Sequence, residues 1–210
     1  MVITIDGLGV NGKTTLARRI SEELNFKNFN TGAIYRCIAL EIINNNLDIN
    51  DIDLVIEKIS VLDINFDKNI VLLNGNDVSK RIKEEDISVK STAFATNLKI
   101  KEVVRKIQKD FIKKYDTVME GRDIGTRIAP DADVRFYLYS DFEKRVERLS
   151  NEEKDVDVNV IRENLRIRDD LDLNGGNFIK PVGAIEIDTT NLNLDDVYNI
   201  MMEHIKNIIK

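Results

Sequence analysis

A single cysteine, Cys37, occurs in the 210 residues, so no disulfide can form within the chain and a reducing compartment suits it. Cys37 itself reads as a small buried hydrophobe on a helix. A basic surplus is also missing: 31 lysines and arginines stand against 37 aspartates and glutamates, a formal net charge of −6. That argues against a nucleic-acid binder and leaves small anionic ligands, which need only a few local cations. No apolar run approaches membrane-spanning length, so no membrane partner is expected. Met1–Asp6 is too short for a basic and apolar leader and reads as a first strand, which makes the cytoplasm the expected setting. Only two prolines occur, and there are no internal repeats. With 42% hydrophobic and 32% charged residues, the chain can bury one substantial core, so a single domain over 1–210 with a small insertion is expected.

What is present is concentrated at the start. A short β-branched run, Val2–Asp6, feeds into Gly7-Leu8-Gly9-Val10-Asn11-Gly12-Lys13-Thr14, and a helical pattern follows at once. The order strand, glycine loop, helix is the context that a phosphate-binding loop requires. Glycines let the backbone curl so that successive N–H groups point at phosphate oxygens. The helix opening at Lys13 adds the positive end of its dipole, and Lys13 adds a mobile full charge. The Thr14 hydroxyl is placed to ligate a magnesium ion bridging the terminal phosphates. Gly7, Leu8, Gly9, Val10, Asn11, Gly12, Lys13, Thr14 and Thr15 are therefore the expected ATP-binding residues.

Behind the loop, Leu16, Ile20 and Leu24 recur at spacing four on a first helix. Asn25–Asn30 reads as a connector, 31–46 as a helix and 48–60 as another. The period then changes. Leu62, Ile64 and Phe66 alternate with polar residues, and Ile70–Leu73 precedes Asn74-Gly75, so two or three small antiparallel strands are expected in an insertion over 62–83. Helix signals return over 84–114. Thr117–Met119 and Val134–Tyr139 are nearly charge-free, as central parallel strands should be. A helix over 141–149, a charged loop over 151–159, a helix over 160–170, a strand over 184–187 and a closing helix over 193–210, capped by Asn193, complete the pattern. Alternating strands and helices around a phosphate loop predict an α/β fold with an open parallel sheet, binding ligands at the carboxyl ends of its strands.

Three further clusters concentrate charge, and in the second of them packing does not explain it. Asn30-Thr31-Gly32-Ala33-Ile34-Tyr35-Arg36 puts a guanidinium within the first turns of a helix; taken alone, Arg36 would read as a surface arginine pairing with Glu41. Glu120-Gly121-Arg122-Asp123-Ile124-Gly125-Thr126 crowds charges between two glycines just beyond a buried strand. Arg166-Ile167-Arg168-Asp169-Asp170-Leu171-Asp172, taken alone, would read as a solvated helix face with internal ion pairs.

Taken together, the motifs resemble the cytidylate (CMP) kinase family of nucleoside monophosphate kinases. The resemblance runs end to end, through the P-loop, Thr-Gly-Ala-Ile-Tyr-Arg, Asn-Asp-Val-Ser in the β-rich insert, Glu-Gly-Arg-Asp-Ile-Gly-Thr, Pro-Asp-Ala-Asp-Val, Arg-Asp-Asp-Leu-Asp and Asp-Thr-Thr-Asn-Leu. It implies a P-loop kinase fold with a β-rich CMP-binding insert at about 62–83 and a lid at about 150–159. It implies transfer of the γ-phosphoryl group of ATP to CMP or dCMP with Mg²⁺. By the same resemblance Lys13, Arg36, Arg122 and Arg168 are catalytic, and Arg36 and Arg122 hold the acceptor's phosphate. Thr92 and Asp123 face the cytosine, whose exocyclic amine a carboxylate accepts from while uracil offers it an acceptor. Thr31 belongs with the substrate-binding residues, Asp172 matches the sugar-hydroxyl position, and Arg148 matches a lid arginine on the ATP side. Glu120 lies where an acid helps Thr14 position the metal, through water.

The sequence departs from the family pattern at several positions. Asn30 stands where aspartate is usual, and Leu8 with Asn11 makes the P-loop unusual. Lys101 stands where a cytosine-contacting arginine is expected, and lysine lacks the planar bidentate fork. Gly175 replaces an acceptor-side arginine, for which Lys180 is a nearby substitute. Two alternatives therefore accompany the expectation: a kinase of the same scaffold with another small phosphate acceptor, and a nucleotide-binding regulatory protein with little turnover. A monomer acting on small-molecule substrates is expected.

Overall fold

The computed structural model describes residues 1–67, 70–95, 97–174 and 178–209. In chain order its elements are β1 (Val2–Asp6), α1 (Lys13–Leu24), β2 (Lys27–Asn30), α2 (Thr31–Asn44), α3 (Ile52–Ser60), β3 (Ile64–Asp67), β4 (Ile70–Leu73), β5 (Asn76–Asp77), α4 (Glu85–Phe94), α5 (Leu98–Ile112), β6 (Thr117–Gly121), β7 (Val134–Tyr139), α6 (Phe142–Glu152), α7 (Val158–Asn174), β8 (Ile185–Asp188) and α8 (Leu194–Ile209). They fall into two compact units, Met1–Phe26 with Thr117–Lys210, and Lys27–Asp116.

The first unit is built on parallel strands in the order β6-β1-β7-β8. Ile3 of β1 stands opposite Val118 of β6 and Val134 of β7, and Phe136 of β7 opposite Ile185 of β8. Central parallel strands covered on both faces need apolar residues, which is why β1, β6 and β7 carry one charged residue each, whereas β8 at the sheet edge alternates Ile185-Glu186-Ile187-Asp188. Leu16 and Ile20 of α1 are fully buried with Ile3, Ile5, Phe136 and Leu138, and Val197, Met201 and Ile205 of α8 close the same core. The spacing of four on both helices puts those side chains on one face. Asn193 caps α8, its Oδ1 accepting from the Asp195 and Asp196 amides. β1 has β6 on one side and β7 on the other, so the chain leaving it enters the place where α/β sheets bind ligands.

The second unit carries the small sheet, antiparallel in the order β3-β4-β5. Asn74 and Gly75 take φ of 49° and 79° between β4 and β5, the two-residue turn whose positive angles match hairpin twist and which glycine adopts at no steric cost. Phe29, Phe66 and Phe111 pack ring against ring, with Phe29 4.8 Å and 4.7 Å from the other two centroids. Cys37 is fully buried on α2, and burial pushes its thiol up to about 12.

Several boundaries differ from expectation. The connector read over 25–30 contains β2, a strand whose one large apolar residue, Phe29, gives no alternation to read. The helix signals over 84–114 resolve into two helices, because the Asn97 side chain accepts from the Lys99 and Ile100 amides and starts α5 afresh. The charged loop read over 151–159 shrinks to 153–157. α6 continues through Glu152, with Glu153 donating to the Leu149 carbonyl, and Asp157 Oδ1 accepts from Asn159 to open α7. Gly175 lies outside the described residues.

Candidate active site

The loop between β1 and α1 is shaped by close approach. Gly7 has φ of +151°, and a Cβ there would stand 2.2 Å from the Leu138 carbonyl oxygen, so only glycine lets β1 turn out beside β7. Val10 holds φ of 63°, a region that costs a β-branched residue strain and that is kept where a loop is over-determined. The Lys13 ammonium is buried and donates to the Leu8 carbonyl at 2.6 Å, and Asn11 Nδ2 donates to the same oxygen at 3.2 Å. Ser140, just past β7, donates to Asn11 Oδ1 at 2.5 Å. The unusual Asn11 thus braces the loop. α1 has no side-chain cap at Gly12 and no acid in its first turn, so its positive end is left to a ligand.

Two arginines converge on this loop. Arg122, one residue past β6, donates from Nη1 to the Gly7 carbonyl at 3.1 Å and from Nε to Asp172 at 2.5 Å. Arg168 reaches in from α7: a Cβ on Gly9 would stand 3.7 Å from both Arg122 Nη2 and Arg168 Cζ. Burial, then the Arg122 charge, lowers the Lys13 ammonium to about 7, with Arg168 adding to the effect and Glu120 and Asp6 opposing it. Three cations gathered at a helix start whose first turn carries no acid form a site for a polyanion. Thr14 Oγ1 donates to Glu120 Oε1 at 3.1 Å. This hard-oxygen pair is of the kind that suits a magnesium ion. Among the described residues no group of three or more His, Cys, Asp or Glu could hold a metal.

Asp6, which in the sequence reads only as the end of the first strand, is the hidden member of the site. It is fully buried, and its two oxygens accept from the Ile124 and Gly125 amides at 2.8 and 2.7 Å. Burial raises its carboxyl to about 6 against the opposing pull of those two amides. Register puts Asp6 beside Gly121, so its carboxylate pins the π-helical turn Ile124–Ile128 and with it the Arg122–Asp123 corner. Asp123, expected at the cytosine, pairs with Arg127 at 3.0 Å.

In the cluster 166–172, Arg166, Ile167, Arg168, Asp170 and Leu171 are exposed, while Asp169 is buried and Asp172 half-buried, so only one side of the helix turns inward. Arg168 and Asp172, four apart, turn toward the loop, while Asp169 continues the buried series Ile161, Leu165 and meets Arg145 in a two-armed ion pair at 3.0 and 2.5 Å. No motif marks Arg145, and Asp169 lies in the Arg-Asp-Asp-Leu-Asp motif without a role read for it; its spacing of four from Leu165 and eight from Ile161 is the signal that it turns inward. Arg148 stands apart from Lys13, donating to the Thr189 carbonyl, to Thr189 Oγ1 at 3.2 Å and to Ser140 Oγ at 3.5 Å. It is joined to Asn11 through that serine. Lys180, the expected substitute for the residue replaced by Gly175, pairs instead with Glu186 at 2.9 Å.

The remaining expected residues lie in the second unit. Thr31 opens α2 and accepts from Gln108 Nε2 at 3.0 Å, and Arg36 follows on the same helix. Lys101 is on α5. Thr92 lies within α4, but its side chain is outside what the structure describes. Asn30 accepts from the Ala33 amide at 2.9 Å as the cap of α2, a task asparagine and aspartate perform about equally.

A parallel sheet with a glycine-loop anion site, and arginines converging on it from β6 and α7, defines a P-loop phosphotransferase. The cytidylate kinase family model matches residues 3–207. A cytidylate kinase from Caldanaerobacter subterraneus subsp. tengcongensis is 34% identical over 212 residues, 97% of this chain and 94% of that protein. One from Pediococcus pentosaceus is 31% identical over 218 residues, 99% of this chain and 96% of its own. The crystal structure of TT1252 from Thermus thermophilus is similar in fold, with a TM-score of 0.56 at 13% identity, covering 100% of this chain and 98% of that one. The chain belongs to the cytidylate kinase family.

Proposed function

We propose that the protein transfers the γ-phosphoryl group of ATP to CMP or dCMP, releasing ADP and CDP or dCDP. The observation that carries this reading is the convergence of Lys13, Arg122 and Arg168 on the P-loop, beside the Thr14–Glu120 pair. Membership of a kinase family whose relatives are named for cytidylate supports the choice of acceptor. ATP places its phosphates in the loop between Gly7 and Thr15, and Lys13 leaves the Leu8 carbonyl for a phosphate oxygen. Thr14 and Glu120 would hold Mg²⁺, which when bound would neutralise charge on the terminal phosphates. An oxygen of the acceptor phosphate attacks the γ-phosphorus, the bond to the ADP oxygen breaks, and the electron pair leaves with ADP.

No general base is required, because the acceptor phosphate is already ionised, and positioning with charge stabilisation supplies the rate. Arg122 and Arg36 align the acceptor phosphate, and Arg168 stabilises charge on the moving group. Asp123 and Thr92 read the cytosine with Lys101, and Thr31 sits with the same substrate group. Asp172 releases Arg122 and turns to the sugar. The stretch around 150–159 acts as the lid that excludes water, and Arg148 serves the nucleotide side.

Lys101, in the place of an arginine, favours a second reading in which the acceptor is another small phosphate ester. A coupled ADP-release assay with CMP, dCMP, UMP and AMP separates the two. Cytidine nucleotides should give the highest kcat/KM. A better non-cytosine acceptor would establish the second reading, and ATP binding without turnover would make the protein a nucleotide sensor.

A further inference from the structure

The α6–α7 hairpin closes over a small apolar core of Val146, Ile161 and Leu165, and the P-loop residue Val10 packs against it. At the end of that core, where a further aliphatic pair would fit the pattern, stand Arg145 and Asp169, with side chains 5% and 8% exposed. An ion pair this deep gives up strong hydration, and well-packed apolar residues of similar size usually serve stability as well or better. Stability therefore does not account for the pair. Its geometry offers another reason. Arg145 Nη1 also donates to the Gly9 carbonyl at 3.4 Å, and Asp169 directly follows Arg168, whose guanidinium lies over the same Gly9.

We propose that Arg145 and Asp169 are positioning residues for phosphoryl transfer. The pair keys α7 to the P-loop, setting the reach of Arg168 and fixing the Gly9–Val10 peptide, which a curled loop must orient for its N–H groups to meet phosphate. Val10 holds its left-handed backbone between two constraints, its own packing on the hairpin and the Arg145 hold on the preceding carbonyl. Neither residue touches substrate; both act through Gly9 and Arg168. The proposal rests on the reading of Arg168 given under Proposed function.

The test is the double variant Arg145→Met with Asp169→Leu, compared with the wild-type chain under ATP, Mg²⁺ and CMP. It replaces the pair by apolar groups of similar size, so the thermal midpoint should stay near wild type. The expected result is a fall in kcat of about tenfold or more, with KM for CMP changed by less than about threefold. A purely structural pair predicts the reverse: a kcat that follows the folded fraction, and full activity wherever the midpoint is kept. Should the double variant fail to fold, Arg145→Lys decides. It keeps the charge, but a single nitrogen lacks the planar fork by which Nη1 and Nη2 hold the two Asp169 oxygens while Nη1 also reaches the Gly9 carbonyl, so kcat should again fall; an unchanged kcat overturns the proposal. Titration of both proteins with ATP separates this outcome from failure of the proposed reaction. If the wild type turns over no CMP, the reaction falls, and the pair is judged by ATP affinity, which the double variant should lose by about fivefold or more; equal affinities overturn it.

Discussion

Lys13 sits under Arg122 and Arg168 with its ammonium lowered to about 7 by burial and by those charges. Near neutrality the ligand-free loop is therefore close to shedding a proton, and a bound polyanion favours the charged form. The sign follows: binding ATP raises the Lys13 value, so above pH 7 binding takes up a proton and affinity falls as pH rises. Calorimetric titration with ATP at pH 8, in two buffers of different ionisation heat, should give apparent enthalpies that differ by up to about one proton's worth. Lys13→Ala should abolish that difference and bring turnover near background. Equal enthalpies for the wild type would show that Lys13 is already charged in the free loop. The same residue lowers stability below pH 10.5, and most of all below about 7, where the folded chain must hold the buried charge. That cost shrinks as pH rises from about 7 toward its ordinary value of 10.5, because in that window the unfolded chain binds the proton that the folded chain has lost.

At the scale of elements, a few short-range devices decide where helices begin. Asn30 accepts from Ala33 and Asn97 from Lys99 and Ile100, so both asparagines act as caps. Asn30→Ala should cost about 1 kcal/mol in chemical denaturation, and Asn30→Asp should stay within a few tenths; a large loss in the aspartate variant would give Asn30 a role beyond capping. The same devices explain what can be read from the residues. β1, the P-loop, the Asn74-Gly75 hairpin, β7 and the Asn193 cap announce themselves through local chemistry. β2 does not, because its one buried aromatic is Phe29 and its neighbours are polar. The break between α4 and α5 is hidden because the apolar spacing of Val103, Ile107 and Phe111 shows only the second helix and nothing of where it starts. The charged run after Leu149 looks like a loop because helical hydrogen bonds need no apolar face for a single extra turn.

For the molecule as a whole, the site is legible to the extent that its chemistry is local in sequence. The loop Gly7–Thr15 declares itself, and Arg122 and Arg168 stand in charged clusters beside apolar elements. What stays hidden depends on long-range pairing. Asp6 meets Ile124 and Gly125 across 118 and 119 positions, and Arg145 meets Asp169 across two helices. Asp172 matches a sugar position, yet in the folded chain it holds Arg122, a partner that no spacing rule could supply. The central claim is that one cationic cluster on the P-loop passes a phosphoryl group from ATP to a cytidine monophosphate. Its most direct test is phosphorus NMR of the protein with ATP, Mg²⁺ and CMP. The ATP γ-phosphate resonance should be lost as the β-phosphate resonance of CDP appears, with no accumulation of inorganic phosphate. Release of inorganic phosphate alone, or an unchanged spectrum, would contradict it.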